Sequence, residues 1–254
     1  MKKIASLFML LMLVGNTLLA QQPTLKLWYK NPANASVSDN LKSSKDDAEW
    51  LKALPIGNGN LGGMVFGDVN KERIQLNEKT LWSGSNDDND NPDAPKYINE
   101  IRALLFAGKF KEATELTNKT QVCKGVGSGN GSGADDPFGC FQTLGDLWLD
   151  FGKQSAYTNY YRDLNLNNAI ANVSYLQDGI NFKREYFVNT SDNCLVIRLT
   201  ADKKNAISFS AMLNRPERFI TANNKGELVM SGTLNNGKGG NGMEYMARLK
   251  AIST

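Results

Sequence analysis

The sequence predicts an antiparallel β-sandwich, and three observations carry that prediction. Short runs between positions 147 and 211 alternate apolar with polar residues, the period of a strand with one buried face. Turn signals separate these runs about every ten residues, among them the hairpin dipeptide Asp178-Gly179. Setting aside an amino-terminal leader leaves 234 of 254 residues, enough for one large all-β domain with its own core.

The elements follow in chain order. Met1-Lys2-Lys3 is a short basic start, positions 4–14 are apolar apart from Ser6, and Leu18-Leu19-Ala20 ends in a small residue. That layout reads as a secretory signal over residues 1–20, cleaved between Ala20 and Gln21. The apolar run is too short for a lasting membrane span, and no cysteine follows it to take a lipid anchor. An exported, periplasmic or secreted chain over 21–254 is the expectation.

Within positions 54–84, glycines at 57, 59, 62 and 63 permit sharp turns. Met64-Val65-Phe66 and Ile74-Gln75-Leu76 read as strands. Asn77, Glu78 and Trp82 then bring an amide, a carboxylate and an indole into one loop, the side chains that grip sugars. A helical insert near 95–117 follows. Pro95 opens an apolar pattern at Ile98, Ile101, Leu104 and Leu105, and Phe110, Ala113 and Leu116 continue it after Gly108. These helices are expected to cover one edge or end of the sheets. Beyond the insert, Leu147, Leu149 and Phe151 share one register, with Trp148 on the opposite side. The runs ending at Tyr175, Thr200 and Ala211 obey the same rule. Positions 243–252 alternate as a last strand, from which the sequence reads as the front portion of a longer chain.

Composition narrows the chemistry. No histidine is present, which removes Ser-His and Cys-His pairs and the commonest metal ligand. Net charge falls from +3 to +1 when Lys2 and Lys3 leave with the leader, too little for a nucleic-acid partner. Cys123 and Cys140 bracket a Gly/Ser-rich loop. They can pair in an oxidising compartment, stabilising the fold by about 3 kcal/mol, or remain thiols; spacing leaves both open. Cys194, beside Leu195-Val196-Ile197, reads as a buried small hydrophobe. Asn86-Asp87-Asp88-Asn89-Asp90-Asn91 is rich in oxygen ligands but lacks a calcium loop's bidentate Glu, and reads as a solvated turn. The glycine-rich stretches 125–133 and 237–242 lack the Gly-Lys-Ser/Thr of a phosphate loop. Glu78, Asp146 and Asp150 are the carboxylates worth weighing for glycoside chemistry. Trp28, beside Leu27, reads as partly buried core.

Several motifs in fixed order resemble the amino-terminal domain of glycoside hydrolase family 95, the α-L-fucosidase family. They are Leu27-Trp28-Tyr29-Lys30-Asn31-Pro32-Ala33, the glycine-rich 54–84 stretch, the helix at 97–109, Gln142-Thr143-Leu144-Gly145-Asp146-Leu147-Trp148, Tyr161-Arg162-Asp163-Leu164, Arg184-Glu185-Tyr186-Phe187 and Val196-Ile197-Arg198-Leu199-Thr200. The resemblance implies a large, supersandwich-like β-domain truncated before the family's (α/α)6 barrel, which holds the catalytic groups. It implies no catalytic residue, metal or cofactor within this chain, and a fucosylated glycan as substrate of the missing barrel. Asn77, Glu78 and Trp82 become substrate-rim or inter-domain contacts. A stand-alone carbohydrate-binding or structural sandwich is the competing expectation.

Overall fold

The computed structural model describes residues 25–35, 47–86, 88, 90–123, 135, 138–152 and 155–253; the leader and the 125–133 stretch lie outside them. In order, the elements are β1 (Lys26–Tyr29), a one-turn helix α1 (Asp47–Trp50), β2 (Leu54–Gly57), β3 (Leu61–Val65) and β4 (Lys71–Glu78). A 3-10 turn (Ala94–Tyr97) leads into α2 (Ile98–Phe106) and α3 (Phe110–Thr120). Then come β5 (Gly145–Asp150), β6 (Tyr157–Asn165), β7 (Ile170–Gln177), β8 (Ile180–Asn189) and β9 (Cys194–Ala201). The last are β10 (Ser210–Asn214), β11 (Phe219–Asn224), β12 (Glu227–Asn235) and β13 (Asn241–Lys250).

These strands form three antiparallel sheets. Sheet I has the order β1-β6-β7-β8-β9, sheet II β10-β5-β4-β3-β2 and sheet III β11-β12-β13. Sheets I and II face each other. Between them lie Ile56, Val65, Ile74, Leu147 and Leu149 from one side and Leu164, Ala171, Val173, Tyr175 and Tyr186 from the other. Sheet III adds Met230, Leu234 and Tyr245 to the same core. The Asp178-Gly179 turn closes β7 on β8 with φ of 55° and 72°, as a tight right-twisting hairpin requires.

The apolar core is crossed by polar side chains that fasten sheet I to sheet II. Glu72 is fully buried. One carboxylate oxygen accepts the Gly67 and Arg73 amides at 2.8 and 3.1 Å. The other accepts the Tyr186 hydroxyl at 2.8 Å and Arg184 Nη1 at 3.3 Å. Arg184 also donates to the carbonyls of Asp68 and Val69, both at 2.6 Å, and to the Tyr175 hydroxyl at 2.7 Å. Its guanidinium lies 4.0 Å from the Phe151 ring centroid. Burial pushes the Glu72 carboxyl above its ordinary value, while Arg184, the Tyr186 hydroxyl and the Gly67 amide pull it down. Arg162 bonds the carbonyls of Asn31 at 2.9 Å and Lys52 at 2.7 Å, and the Tyr160 hydroxyl bonds that of Gly67 at 2.7 Å. Gly67 has φ +78°, and a Cβ there would sit 2.7 Å from the Tyr160 oxygen.

Three expectations are corrected. The helical insert does not cap the sheets: α2 and α3 pack chiefly on each other and on the 3-10 turn, no residue of α2 is buried, and Phe106 is 92% exposed. The insert is tied at its own base, where Gln121 donates to the Ala94 carbonyl at 2.8 Å. Cys194 is exposed rather than buried, because it opens β9 at the sheet's edge. Trp28 is 54% exposed rather than core, because it faces outward on the edge strand β1.

Replacing Arg184 by Met leaves Glu72 buried without its cation and strips two carbonyls of their donor. The expected cost is about 3–5 kcal/mol. The double variant Glu72→Gln/Arg184→Met, which carries no orphaned charge, is expected to lose less. Urea denaturation of both variants checks the order.

Candidate functional site

Side-chain alternation separates the residues that the sequence grouped. Asn77 and Glu78 are consecutive in β4, not in a loop, and successive strand residues point to opposite faces. Asn77 follows Arg73 and Gln75 onto the outer face of sheet II, opposite Gly62 of β3. Glu78 folds back on its own turn, its Oε2 accepting the Thr80 amide at 2.8 Å and hydroxyl at 2.6 Å. Trp82 lies beyond that turn, half exposed, edge-on to Phe141 at 6.0 Å between centroids. The structure therefore places the three against different neighbours.

Trp82 belongs to a built rim. Leu81 is buried in the core and anchors the segment. From there the chain zips to residues 140–142: Gln142 N–H donates to Leu81 O at 2.9 Å, Ser83 N–H to Cys140 O at 3.0 Å, and Cys140 N–H to the Ser83 hydroxyl at 3.0 Å. Gly84 N–H donates to Asn235 O at 2.8 Å, so sheet III braces the same rim. Gly139 makes the close approach feasible; its φ is +65° and a Cβ would lie 1.9 Å from Ser83 O. Cys123 and Cys140 are free thiols, the second of the two states that spacing left open.

The outer face of sheet II forms a second polar and aromatic surface. Arg73 and Asp146 make a buried two-point ion pair, Nε to Oδ1 and Nη2 to Oδ2, each 3.0 Å. The Arg73 guanidinium lies between Phe66 and Trp148, 5.0 and 5.5 Å from their centroids. The indole N–H of Trp148 bonds Asn214 Oδ1 at 3.2 Å, and that of Trp50 bonds Gln75 Oε1 at 2.7 Å. Glu49 holds the preceding segment by accepting the Asn34 amide at 2.8 Å. Its carboxyl lies below the ordinary glutamate value because of its bond to Lys52 and then that amide.

The carboxylates weighed from the sequence each have a partner in the structure. Glu78 is bound to Thr80, Asp146 to Arg73, and Asp150 accepts the Gly152 amide at 2.8 Å. Among the described residues no group of three His, Cys, Asp or Glu gathers as a metal site, and no helix is long and apolar enough to cross a membrane.

Comparison with known proteins identifies the scaffold. Residues 27–254 match the family model for the amino-terminal domain of glycosyl hydrolase family 65. The chain belongs to this family of glycoside hydrolase amino-terminal domains. Alpha-L-fucosidase 2 of Arabidopsis thaliana is 34% identical over 163 residues, 63% of this chain and 18% of the relative. The probable alpha-fucosidase A of Aspergillus niger is 30% identical over 180 residues, 69% of this chain and 20% of the relative. That of Aspergillus oryzae is 28% identical over 151 residues, 56% and 19% respectively. The aligned part of this glycoside hydrolase domain thus spans about a fifth of each relative's length.

The rim and the Glu49 anchor can each be tested by one substitution. Gly139→Ala is expected to cost at least about 2 kcal/mol, since it adds both strain and a clash with Ser83; urea denaturation reads it. A depressed carboxyl stabilises above its unfolded value and loses that contribution as pH falls through the folded value. Wild-type stability should therefore decline below about pH 5, and Glu49→Gln should decline less over that range, as thermal melts between about pH 3 and 7 would record.

Proposed function

We propose that this chain is the amino-terminal sandwich of an exported, inverting exo-α-L-fucosidase of the family 95 type. On this reading, the groups that cleave the glycosidic bond lie outside its 254 residues. The observation that carries the reading is the 34% identity to a plant enzyme named alpha-L-fucosidase 2. The matched family model bears the number 65, so the family 95 assignment rests on the ordered motifs from Leu27 to Thr200 and on the relatives' names. The occupied state of Glu78, Asp146 and Asp150 adds support, because a glycosidase needs two carboxyl functions, or their stand-ins, free to flank the scissile bond.

By analogy with the family, the whole enzyme removes terminal L-fucose from glycans. Water attacks the anomeric carbon while a glutamic acid of a helical barrel protonates the departing oxygen. The sandwich braces that barrel, and the half-exposed Trp82 on its tied rim supplies an inter-domain or substrate-rim contact. Export follows from the leader over residues 1–20.

The test is expression of the whole gene product and assay on 4-nitrophenyl α-L-fucoside and fucosyllactose. Release of L-fucose, first as the β-anomer, is expected. Release of a different sugar, first release as the α-anomer, or no release would overturn the reading. The 254-residue chain alone is expected to release none; turnover near that of the whole enzyme would place the chemistry here instead.

A further inference from the structure

The outward face of sheet I carries a rank of side chains that neither the rim nor the core uses. Strand register aligns Trp28, Asp163, Asn172, Glu185 and Arg198 across β1, β6, β7, β8 and β9. The neighbouring outward rank holds Tyr161, Ser174, Lys183 and Thr200 in the same way. Their alternation partners, Leu164, Val173, Arg184 and Tyr186, are buried between the sheets, which fixes these ranks on the outside.

Trp28 is an aromatic platform supported from below. Its ring stacks on Tyr161 at 6.4 Å and 20° between planes, yet over half its surface faces solvent. Lys26 lies 5.7 Å above the Tyr161 ring and 3.7 Å from Asp163. Asp163 accepts the Asn172 amide at 2.8 Å. Glu185 is held by Lys183 at 2.8 Å and by Arg198. Both carboxylates are therefore fixed in place by neighbours on the same face; Asp163 is buried and orients Asn172, while the partly exposed Glu185 keeps further acceptor sites. A groove of about 450 Å³ continues the second rank, lined by Asn159, Ser174, Lys183, Thr200 and Asp202 among others. Adjacent strands lie about 4.8 Å apart, so the rank from Trp28 to Glu185 spans about 14 Å, the length of a short oligosaccharide rather than one sugar.

We propose that the outer face of sheet I binds a glycan chain, with one pyranose ring stacked on Trp28 and its neighbours hydrogen-bonded along Asn172 and Glu185 toward the groove. Charge complementarity selects this occupant. Asp163 and Glu185 lie beside Lys26, Lys183 and Arg198, while Asp202 is held by Asn181, so the face offers no uniform field to a polyanion or a membrane surface. An uncharged polyol suits it, because hydroxyls donate to the carboxylates, accept from the amide and lysines, and present an apolar ring face to the indole. This site stands independently of the fucosidase reading, since binding needs no cleavage and fucose release can proceed without it.

Native gel electrophoresis of the chain through gels containing xyloglucan, pectic galactan or laminarin tests the proposal, with fluorescence titration of oligosaccharides from any retarding polymer. Retardation by at least one polymer is expected, with a dissociation constant of about 0.01–1 mM. Trp28→Ala should weaken binding at least tenfold and Asn172→Ala several-fold. Trp28→Tyr, which keeps a ring, should retain most of it. Circular-dichroism melts establish that each variant is folded. Absence of retardation by all three polymers, or retardation that survives Trp28→Ala, would overturn the proposal.

Discussion

The fold depends on how Arg184 and Glu72 are satisfied at the centre of an otherwise apolar sandwich. Two ions taken out of water cost several kcal/mol each unless their hydrogen-bonding capacity is met. Here it is met from both sheets. Glu72 of β4 draws on two backbone amides and the Tyr186 hydroxyl, and Arg184 of β8 caps two carbonyls of the turn that precedes β4. Those carbonyls belong to residues 68 and 69, where the chain has left β3 and the ladder has ended. The arginine thus supplies donors that a ladder would otherwise provide, and it does so only in one relative position of the two sheets. Apolar packing tolerates sliding; this network does not.

Arg162 and Tyr160 repeat the device along β6, reaching the carbonyls of Asn31, Lys52 and Gly67. The reaches to Lys52 and Gly67 run from sheet I toward segments that flank strands of sheet II, and that to Asn31 ends just past β1 of its own sheet. The consequence is directional. Polar side chains of sheet I that point inward are consumed by the fold, while those that point outward, such as Asp163 and Glu185, bond within their own face. Sheet II treats its outward charges differently, burying Arg73 and Asp146 against Phe66 and Trp148. Its outer face is consequently set under the α1 segment.

The period-two pattern makes the sandwich legible, and Asp178-Gly179 locates a hairpin to the residue. The same pattern holds the buried ions in plain view: Phe182, Arg184 and Tyr186 fall in one register, as do Glu72 and Ile74. Pattern alone hides them, because charge normally marks the solvent side of a strand. Lys225-Gly226 closes β11 on β12 with φ of 53° and 83°, the conformation of Asp178-Gly179, but a lysine carries no turn signal of its own. Trp28 and Cys194 escape the pattern for a related reason. Apolar neighbours in sequence suggest burial, whereas both residues sit on edge strands of sheet I, and edges follow from strand order, which a local pattern does not encode. Asn77 and Glu78 lie apart because β4 extends through both, and a pleated strand turns consecutive side chains to opposite faces.

A glycosidase's reacting carboxyls must be free to exchange a proton and to approach the anomeric carbon from opposite sides. The carboxylates singled out in this domain are each committed elsewhere. Glu72 and Asp146 serve buried arginines, Glu78 serves a turn, and Asp163 and Glu185 serve a polar lattice on a sheet face. Freeing the first two would cost the fold its cross-sheet register or the support of Trp148. Freeing Glu78 would release only a local turn. These bonds make the domain rigid: each of these carboxylates holds an arginine, a turn or a sheet face in place.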